Sequence, residues 1–524
     1  MPQRRRIQHT HLVVAALVVC ASVVPLRYGS ADDGWQPTAA SSTADVQPTG
    51  RIEQLENRLD EQAELIQELR ADRAADDDGA VSKEFSGVDA LFDSRIDRIE
   101  QSLLGFEEVG SGFLEALSTA SRRIVNGRLH IDQWSFPRTS EGVNVIENGD
   151  PSADPQDRLL YRRIRLGVRG TVPPENMSYR MEIEFSGQDG SQFRDAWIGW
   201  DDLVFFDTVR IGNQKRPYGL DHLNSSNFNV FLERPFVVDG FNEDNRRFGL
   251  VAYGVSDDDE YNWRYGLYNL ELIQDIGSTV NDKMQVELAG RLAHTWWYDE
   301  GSHGRGYGHF AIAGTAAFPD GLAPNRGGRN NAAIFRTRPE GRADNQWLDT
   351  GQITGAEAYQ ILALESVFNV GRFQIAGEYM NLWLQREEGF GPNLFLHGGY
   401  LYVSYFLTGE HIPWNRKLGI LGRIEPLEDF FHVGDCDGCT DRGIGAWQIA
   451  ARLSHADFSS QDILGGIGTS ATLAVNWYWN AHSRLQFNYI FGRIDDRQAD
   501  LAGGGTAVVS GSYQISGARF MIDF

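Results

Sequence analysis

Residues 517–524 read GARFMIDF, and this closing stretch decides the fold because it alternates strictly between two kinds of side chain. The two faces of an extended strand here hold Ala518, Phe520, Ile522 and Phe524 on one side and Arg519, Met521 and Asp523 on the other. Polar, poorly ordered residues are the usual end of a soluble domain. An alternating strand that reaches the last residue therefore predicts that the chain ends inside a sheet, and a closed barrel is one such sheet.

The same period of two recurs upstream, from Ile124 onward. In residues 159–170, LLYRRIRLGVRG, one face is predicted to hold Leu160, Ile164, Leu166 and Val168, and the other Tyr161, Arg163, Arg165 and Arg169, with Arg162 as an exception. Residues 178–185, SYRMEIEF, repeat the pattern with Arg180, Glu182 and Glu184 on the charged face. Apolar-out and charged-in alternation is typical of a water-filled transmembrane barrel. A soluble antiparallel sheet with one wet face gives the same local signal.

Composition and the number of such segments favour the barrel. The chain has 524 residues, 57 glycines and 13 tryptophans. Beyond the N-terminus no apolar run approaches the roughly 20 residues of a membrane helix. Aromatic residues cluster at segment ends, as in Trp296, Trp297, Trp477 and Trp479, which is the pattern of interfacial girdles. We therefore predict an all-β transmembrane fold over residues 124–524, a closed antiparallel barrel of sixteen or eighteen strands.

The N-terminal 118 residues differ from the rest of the chain in their sequence pattern. Residues 1–31 carry three arginines before an apolar run from Leu12 to Val24, which predicts a signal peptide, with a retained anchor as the alternative. A linker over 32–50 precedes a helical stalk over 51–118. Its seam is predicted to hold Ile52, Leu55, Leu59, Ile66 and Leu69, with Gln62 as the polar break. The heptads favour either an oligomerising periplasmic coiled coil or a solvated helical spacer.

Two blocks resemble the phosphate-selective porin O and P family. The front block comprises RRIRLGVRG, DAWIGWDD, VRIGNQKRPYGLDHLNSS, FLERP and RRFGL, and the back block GAWQIAARLSHADF, LAVNWYWNAHSRLQFNYIF and QISGARFMIDF. The resemblance spans roughly Arg162 to Phe524. It implies a sixteen-stranded outer-membrane barrel, usually a homotrimer, that passes anions such as phosphate or polyphosphate. The family's GQxKxP segment reads GNQKRP here, so Lys215 is the matching residue and Arg216 an addition.

Arginine and lysine rings suit anion pores, because forked guanidinium groups bind phosphate well. The pore-lining candidates by alternation are Arg163, Arg165, Arg169, Arg180, Arg210, Lys215 and Arg216. For each, the alternative is a barrel-wall residue paired with a carboxylate such as Glu182, Glu184 or Asp195. The formal net charge of −24 does not supply anion preference, which is a local property of the constriction.

Residues 299–350 look least like barrel strands, being rich in glycine and arginine. They predict either a constriction loop in the lumen or an extracellular loop facing solvent, and the absence of any inward-folding pattern favours the second. This stretch carries Arg305, Arg326, Arg329, Arg336, Arg338 and Arg342.

Cys436 and Cys439 form a C-x-x-C pair. Half a zinc site and a redox pair are alternatives, but no second Cys/His pair follows at zinc spacing. In an exported protein the pair predicts a small disulfide.

No HExxH, P-loop, G-x-S-x-G or dinucleotide motif occurs in the sequence, so we predict no enzymatic activity, no metal site and no cofactor. An acidic chain without basic-aromatic surfaces excludes nucleic acid as a partner. The sequence thus predicts an outer-membrane porin for small hydrophilic solutes. Its alternatives are a general, non-selective porin and a structural tether that links the outer membrane to the cell wall through the stalk.

Overall fold

A computed structural model describes residues 123–172, 176–187, 190–204, 206–242, 246–275, 285–319, 333–430 and 443–524. The predicted signal peptide, linker and coiled-coil stalk lie outside these residues, as do Cys436 and Cys439 with their predicted disulfide, so all of these stay predictions. None of the helices in the described ranges is long and apolar enough to cross a bilayer.

Strands dominate the described chain. In chain order they are β1 Arg123–Thr139, β2 Arg158–Val172, β3 Met177–Glu184, β4 Gln192–Asp201, β5 Thr208–Lys215, β6 Arg246–Val255, β7 Tyr261–Asn269, β8 Val286–Tyr298, β9 Gly306–Phe318, β10 Arg336–Thr337, β11 Leu348–Asp349, β12 Ala356–Val370, β13 Phe373–Arg386, β14 Leu394–Phe406, β15 Trp414–Asn415, β16 Ile420–Leu421, β17 Ala446–Ser460, β18 Ile463–Asn480, β19 Ser483–Asp500 and β20 Thr506–Asp523. Three short helices are α1 Glu141–Asn148, α2 Leu220–Leu223 and α3 Phe236–Phe241, and Glu300–Ser302 forms a 3-10 turn.

Sixteen of these strands close into one antiparallel barrel in sequential order, with β20 pairing back onto β1. The two-stranded pairs β10–β11 and β15–β16 stand apart from it. The prediction of a closed antiparallel barrel is confirmed, with sixteen strands rather than eighteen.

The closing strand behaves as its alternation predicts. Ile522 and Phe524 are exposed on the outer face of β20, while Arg519 and Met521 are buried inside the barrel. The Phe524 N–H donates to the Gly127 carbonyl at 3.1 Å, and the Gly127 N–H donates back to Phe524 at 2.9 Å. The last residue is therefore paired with β1, and the barrel is sealed to its end.

One predicted face assignment is wrong, near the start of β2. The register between β1 and β2 shifts at His130/Ile131, so that Arg162 has no direct partner on β1. This β-bulge reverses the alternation on its far side. Tyr161, predicted inside, is exposed on the outer face, whereas Leu160, predicted outside, packs against the core.

Aromatic side chains ring the end of the barrel where β1 begins and β20 ends, which we call the terminal end. Trp447 stacks on Trp477 with ring centroids 4.9 Å apart, and Trp479 lies 5.2 Å from Phe520. Rings with an apolar body and a polar edge suit a membrane interface, which is the girdle that the sequence predicts.

The connections differ sharply between the two ends. At the terminal end they are short, such as residues 371–372 and 481–482, with residues 407–445 as the exception. The opposite end carries the long connections 140–157, 216–245 and 319–355. Outer-membrane barrels have short periplasmic turns and longer extracellular loops. The terminal end is therefore assigned to the periplasm.

Candidate functional site

Three connections fold into the barrel lumen instead of staying outside it. The first inward segment, residues 216–242, and the second, residues 333–355, enter from the extracellular end. The third, residues 407–430, enters from the periplasmic end. Their apolar side chains form the buried core, for example Phe241, which stacks on Phe458 of β17 at 5.4 Å and meets Phe335 at 5.9 Å.

Hydrogen bonds from the wall fix the first inward segment. The Lys215 ammonium donates to the carbonyls of His222, Leu223 and Asn224, each at 2.8 Å, and so caps the end of α2. Across the lumen, Glu378 of β13 accepts from the Leu220 N–H at 2.6 Å. All three protons of Lys215 are thus used within the protein, which places this matching residue of the GNQKRP block in a supporting position.

An ionic cluster ties the same segment to the barrel's closing seam. Glu233 accepts two hydrogen bonds from Arg162, at 2.7 and 2.9 Å, and one from Arg519 at 2.7 Å. Arg519 also binds both oxygens of Asp132, each at 2.7 Å. Burial alone would raise the pKa of Glu233, but the arginines around it hold that pKa well below its usual range.

The second inward segment packs against β17, β18 and α3. Glu340 accepts from Arg452 at 2.8 Å, from Ser470 at 2.8 Å and from the Phe236 N–H at 3.1 Å. Trp347 is fully buried and its Nε1–H donates to Glu147 at 2.7 Å. These residues lie in the lumen.

The preferred prediction for residues 299–350, a solvent-facing loop, is therefore wrong in the described part. Gly306–Phe318 form the barrel strand β9, with Tyr307 and His309 inside and Phe310 outside. Residues 333–350 fold inward because this buries the apolar side chains of Phe335, Trp347 and Leu348. In the sequence, the many glycines and arginines around these three residues obscure their apolar character.

The arginines of residues 299–350 differ in their surroundings. Arg305 donates to the Gly409 carbonyl at 2.8 Å and Arg338 to the Ala343 carbonyl at 2.8 Å. Burial and the neighbouring guanidinium groups of Arg162 and Arg338 lower the pKa of Arg342 to about 9. Arg326 and Arg329 lie outside the described residues.

The third inward segment covers the inner wall of β7, β8 and β9. Trp414 stacks on Tyr307 at 5.3 Å and its Nε1–H donates to Thr295 at 3.0 Å. Arg291 donates to the Gly419 carbonyl at 2.9 Å. Farther along, the Leu421 N–H donates to the Asn224 side chain at 3.0 Å, so the first and third inward segments meet inside the barrel.

The arginine candidates on the lumen face fall into two groups. Arg165, Arg180 and Arg216 pair with carboxylates: Arg165 with Glu182 at 3.1 Å, Arg180 with Asp195 at 3.2 Å and Arg216 with Glu287 at 3.0 Å. Arg163, Arg169 and Arg210 show no such pair within the described residues. Arg163 is buried beside His130, 3.5 Å from its Nδ1.

Four arginines of neighbouring strands form what we call the arginine row. Arg169 on β2 stands directly opposite Arg180 on β3. Arg210 on β5 lies over the Trp197 ring at 4.2 Å and the Tyr253 ring at 4.5 Å. The row ends at Arg264 on β7, which stands opposite Tyr253 with its guanidinium 5.6 Å from that ring.

Three members of the row lie on the part of the wall that the inward segments leave open, whereas Arg264 donates a hydrogen bond to the Leu418 carbonyl of the third inward segment. Arg169 is exposed and Arg180 and Arg210 are half-buried, whereas Tyr307 and His309 under the third inward segment are fully buried. Aromatic faces hold a guanidinium group without neutralising its charge. Arg169 and Arg210 pair with no carboxylate within the described residues, so they place positive charge on the open wall of β2–β6 despite the acidic chain.

Three members of the row are among the pore-lining candidates predicted by alternation. Arg264 is not, although YNWRYGLYN over residues 261–269 alternates in the same way. Asp132, Glu233 and Arg519, which hold the seam, are far apart in the sequence and no spacing relates them. Among the described residues, no group of three or more His, Cys, Asp or Glu side chains is arranged to hold a metal ion.

Comparison with known proteins gives a consistent assignment. The sequence model of the family described as phosphate-selective porin O and P matches residues 139–524. An uncharacterized protein of Caulobacter vibrioides is 25% identical over 383 residues, which are 69% of this chain and 68% of that protein.

Two solved structures illustrate the structural similarity. An anion-selective porin from Comamonas acidovorans has a TM-score of 0.42 and 14% identity, over 77% of this chain and 99% of its own. The trimer form of OmpT, an outer membrane protein of Vibrio cholerae, has a TM-score of 0.44 and 12% identity, over 77% of this chain and all of its own.

Proposed function

The chain belongs to the phosphate-selective porin O and P family and is an outer-membrane channel, and on that premise we propose that small anions, phosphate foremost, are its permeants. Its family and fold are those of a channel rather than of an enzyme. The single observation that carries the anion proposal is the arginine row, in which Arg169 and Arg210 have no carboxylate partner among the described residues.

The row suits phosphate for three physical reasons. Guanidinium groups donate forked hydrogen bonds that match phosphate oxygens. Arg210 is held by the rings of Trp197 and Tyr253, so its charge is not cancelled by an acid. Several positive groups in a narrow, low-dielectric channel raise the local concentration of anions whatever the net charge of the chain.

Phosphate is expected to block chloride current by occupying the row. In the double variant Arg169→Gln/Arg210→Gln, the phosphate concentration that halves the current should rise at least about tenfold, because even one lost charge-assisted hydrogen bond is worth roughly 1.5–3 kcal/mol. The measurement is phosphate titration of chloride current through channels in a planar bilayer.

Arg493→Gln is the matched control, since Arg493 is 59% exposed and its side chain pairs only locally, with Asp495 at 2.6 Å. Its block by phosphate should equal that of the unaltered protein. Equal block in all three proteins, or current that follows only bulk conductivity, would leave a general porin without a phosphate site.

We also propose that the channel assembles as a homotrimer through the outer face of β20 and β1. Gln514 and Ser516 on β20 and Gln133 and Ser135 on β1 stand on this lipid-facing side, in place of large apolar residues. Polar side chains are costly in hydrocarbon, and small ones let two barrels approach closely.

Ser516→Trp is expected to convert the trimer to monomers, because an indole on this face separates the two barrels. Ile312→Trp, an exposed lipid-facing position on β9, serves as the control and should leave the trimer intact. Gel mobility of unheated samples and light scattering measure the mass. A Ser516→Trp protein that stays fully trimeric would exclude this face.

A further inference from the structure

A groove of about 760 Å³ runs along the lipid-facing surface of β12, β13, β14, β17 and β18. Gly377 and Gly399 stand on the outward face of adjacent strands and leave its floor without side chains. Leu364, Leu401 and Leu453 form its apolar walls, and each is exposed. Its apolar lining suits a hydrocarbon chain.

One end of the groove carries a polar cluster. The His397 Nδ1 lies 3.3 Å from the Tyr379 hydroxyl, and the His455 Nδ1 lies 3.0 Å from the Thr469 hydroxyl. The two imidazole rings are 6.1 Å apart. When each hydroxyl donates to its Nδ1, the proton of the ring is on Nε2. Within the described residues neither Nε2 has a partner, so both are available as donors at the outer surface.

The cluster lies at the level of lipid head groups in the outer leaflet. His455 and Trp447 share the outward face of β17, eight residues apart, and Trp447 belongs to the aromatic girdle at the periplasmic end. At about 3.3 Å per residue and a strand tilt of about 40°, this separation spans roughly 20 Å of membrane thickness. The apolar band of such barrels is about 25 Å tall. The histidines are therefore near its extracellular edge.

We propose that this groove binds a phosphorylated lipid of the outer leaflet, with lipid A as the ligand. An acyl chain lies over Gly377 and Gly399 between the leucine walls, and a phosphate oxygen of the head group accepts from the Nε2–H groups of His397 and His455. Hydrogen-bond complementarity favours this occupant over a second copy of the chain, since two imidazole donors at the level of the head groups match the oxygens of an anionic phosphate. The proposal rests on the outer-membrane location and not on the permeant.

Binding of lipid A to the purified full-length protein in detergent tests the proposal, with native mass spectrometry as the readout. Ser366→Trp places an indole in the groove, and Leu288→Trp places one on the lipid-facing side of β8, outside it. We expect about one tightly bound lipid A per protomer in the unaltered protein and in Leu288→Trp, and none in Ser366→Trp. His397→Ala/His455→Ala should weaken binding at least about tenfold, because the loss of even one hydrogen bond to a charged group implies that factor.

Three results would overturn the proposal. The first is equal retention of lipid A by all four proteins. The second is displacement of bound lipid A by an equal amount of phosphatidylethanolamine. The third is a change of oligomeric state in Ser366→Trp when the unaltered protein holds no bound lipid. If Ser366→Trp does not fold, the histidine variant decides alone, because it removes only the outward donors. Phosphate block of the current does not enter this experiment, so the lipid site and the anion proposal fail separately.

Discussion

Arg519→Met is expected to lower the free energy of unfolding by about 3–5 kcal/mol, the cost of leaving a buried charge without its partner. Arg519 is 1% exposed and binds both oxygens of Asp132, which is fully buried on β1. It also binds Glu233 of the first inward segment, so one side chain joins β20, β1 and the lumen filling. Urea unfolding of the protein in lipid vesicles, followed by tryptophan fluorescence, measures the change.

Two further variants isolate the cause of that loss. Arg493→Met removes an exposed ion pair and should cost no more than about 1 kcal/mol. Arg519→Met/Asp132→Leu removes both charges of the seam pair and should recover much of the stability, since apolar replacement of a whole buried pair is often tolerated. Equal stability of Arg519→Met and Arg493→Met would contradict a structural role for the seam.

Reversing two charges of the arginine row is expected to produce the largest functional change. Arg169→Glu/Arg210→Glu should lower the chloride-to-potassium permeability ratio on the order of tenfold at or below about 0.1 M salt, where screening is weakest. Arg169 is exposed and Arg210 is half-buried on the open wall, so both side chains are accessible to ions in the lumen. Reversal potentials across a KCl gradient give the ratio.

Charge reversal at Arg493, outside the lumen, provides the comparison. Arg493→Glu should shift the reversal potential little, because that side chain lies on the outward face at the extracellular end of β19. The same shift in both proteins would mean that the surface charge, rather than the row, sets the selectivity.

The sequence predicts the barrel wall far better than the inward segments that fill the lumen. Side chains alternate with period two along regular stretches of strand. Residues such as Arg519 and Phe524 could therefore be assigned to a face of the sheet directly. A bulge adds one residue and reverses the faces beyond it. In LLYRRIRLGVRG, Arg162 stands out as an exception to the alternation, but the sequence does not show that it is the bulged residue. The three inward segments show no hydrophobic periodicity, because their conformation depends on the shape of the lumen in which they pack.

In the candidate site, too, the sequence predicts the face of each side chain but not its partner. Alternation places Arg165, Arg169 and Arg210 on the inner face, but it cannot tell which guanidinium group meets an acid on a neighbouring strand. Arg165 binds Glu182 and Glu184, whereas Arg210 lies between two aromatic rings. These pairings depend on strand register, and register follows from the closed barrel as a whole.

The most direct test of the anion proposal is the reversal potential of the unaltered channel in a planar bilayer across a KCl gradient. We expect a potential with the sign of chloride permeation, which moves toward zero as salt is raised and the row is screened. A potential with the sign of potassium permeation would contradict it. The outer-membrane barrel would then stand, and the arginine row would be part of its wall rather than of its selectivity.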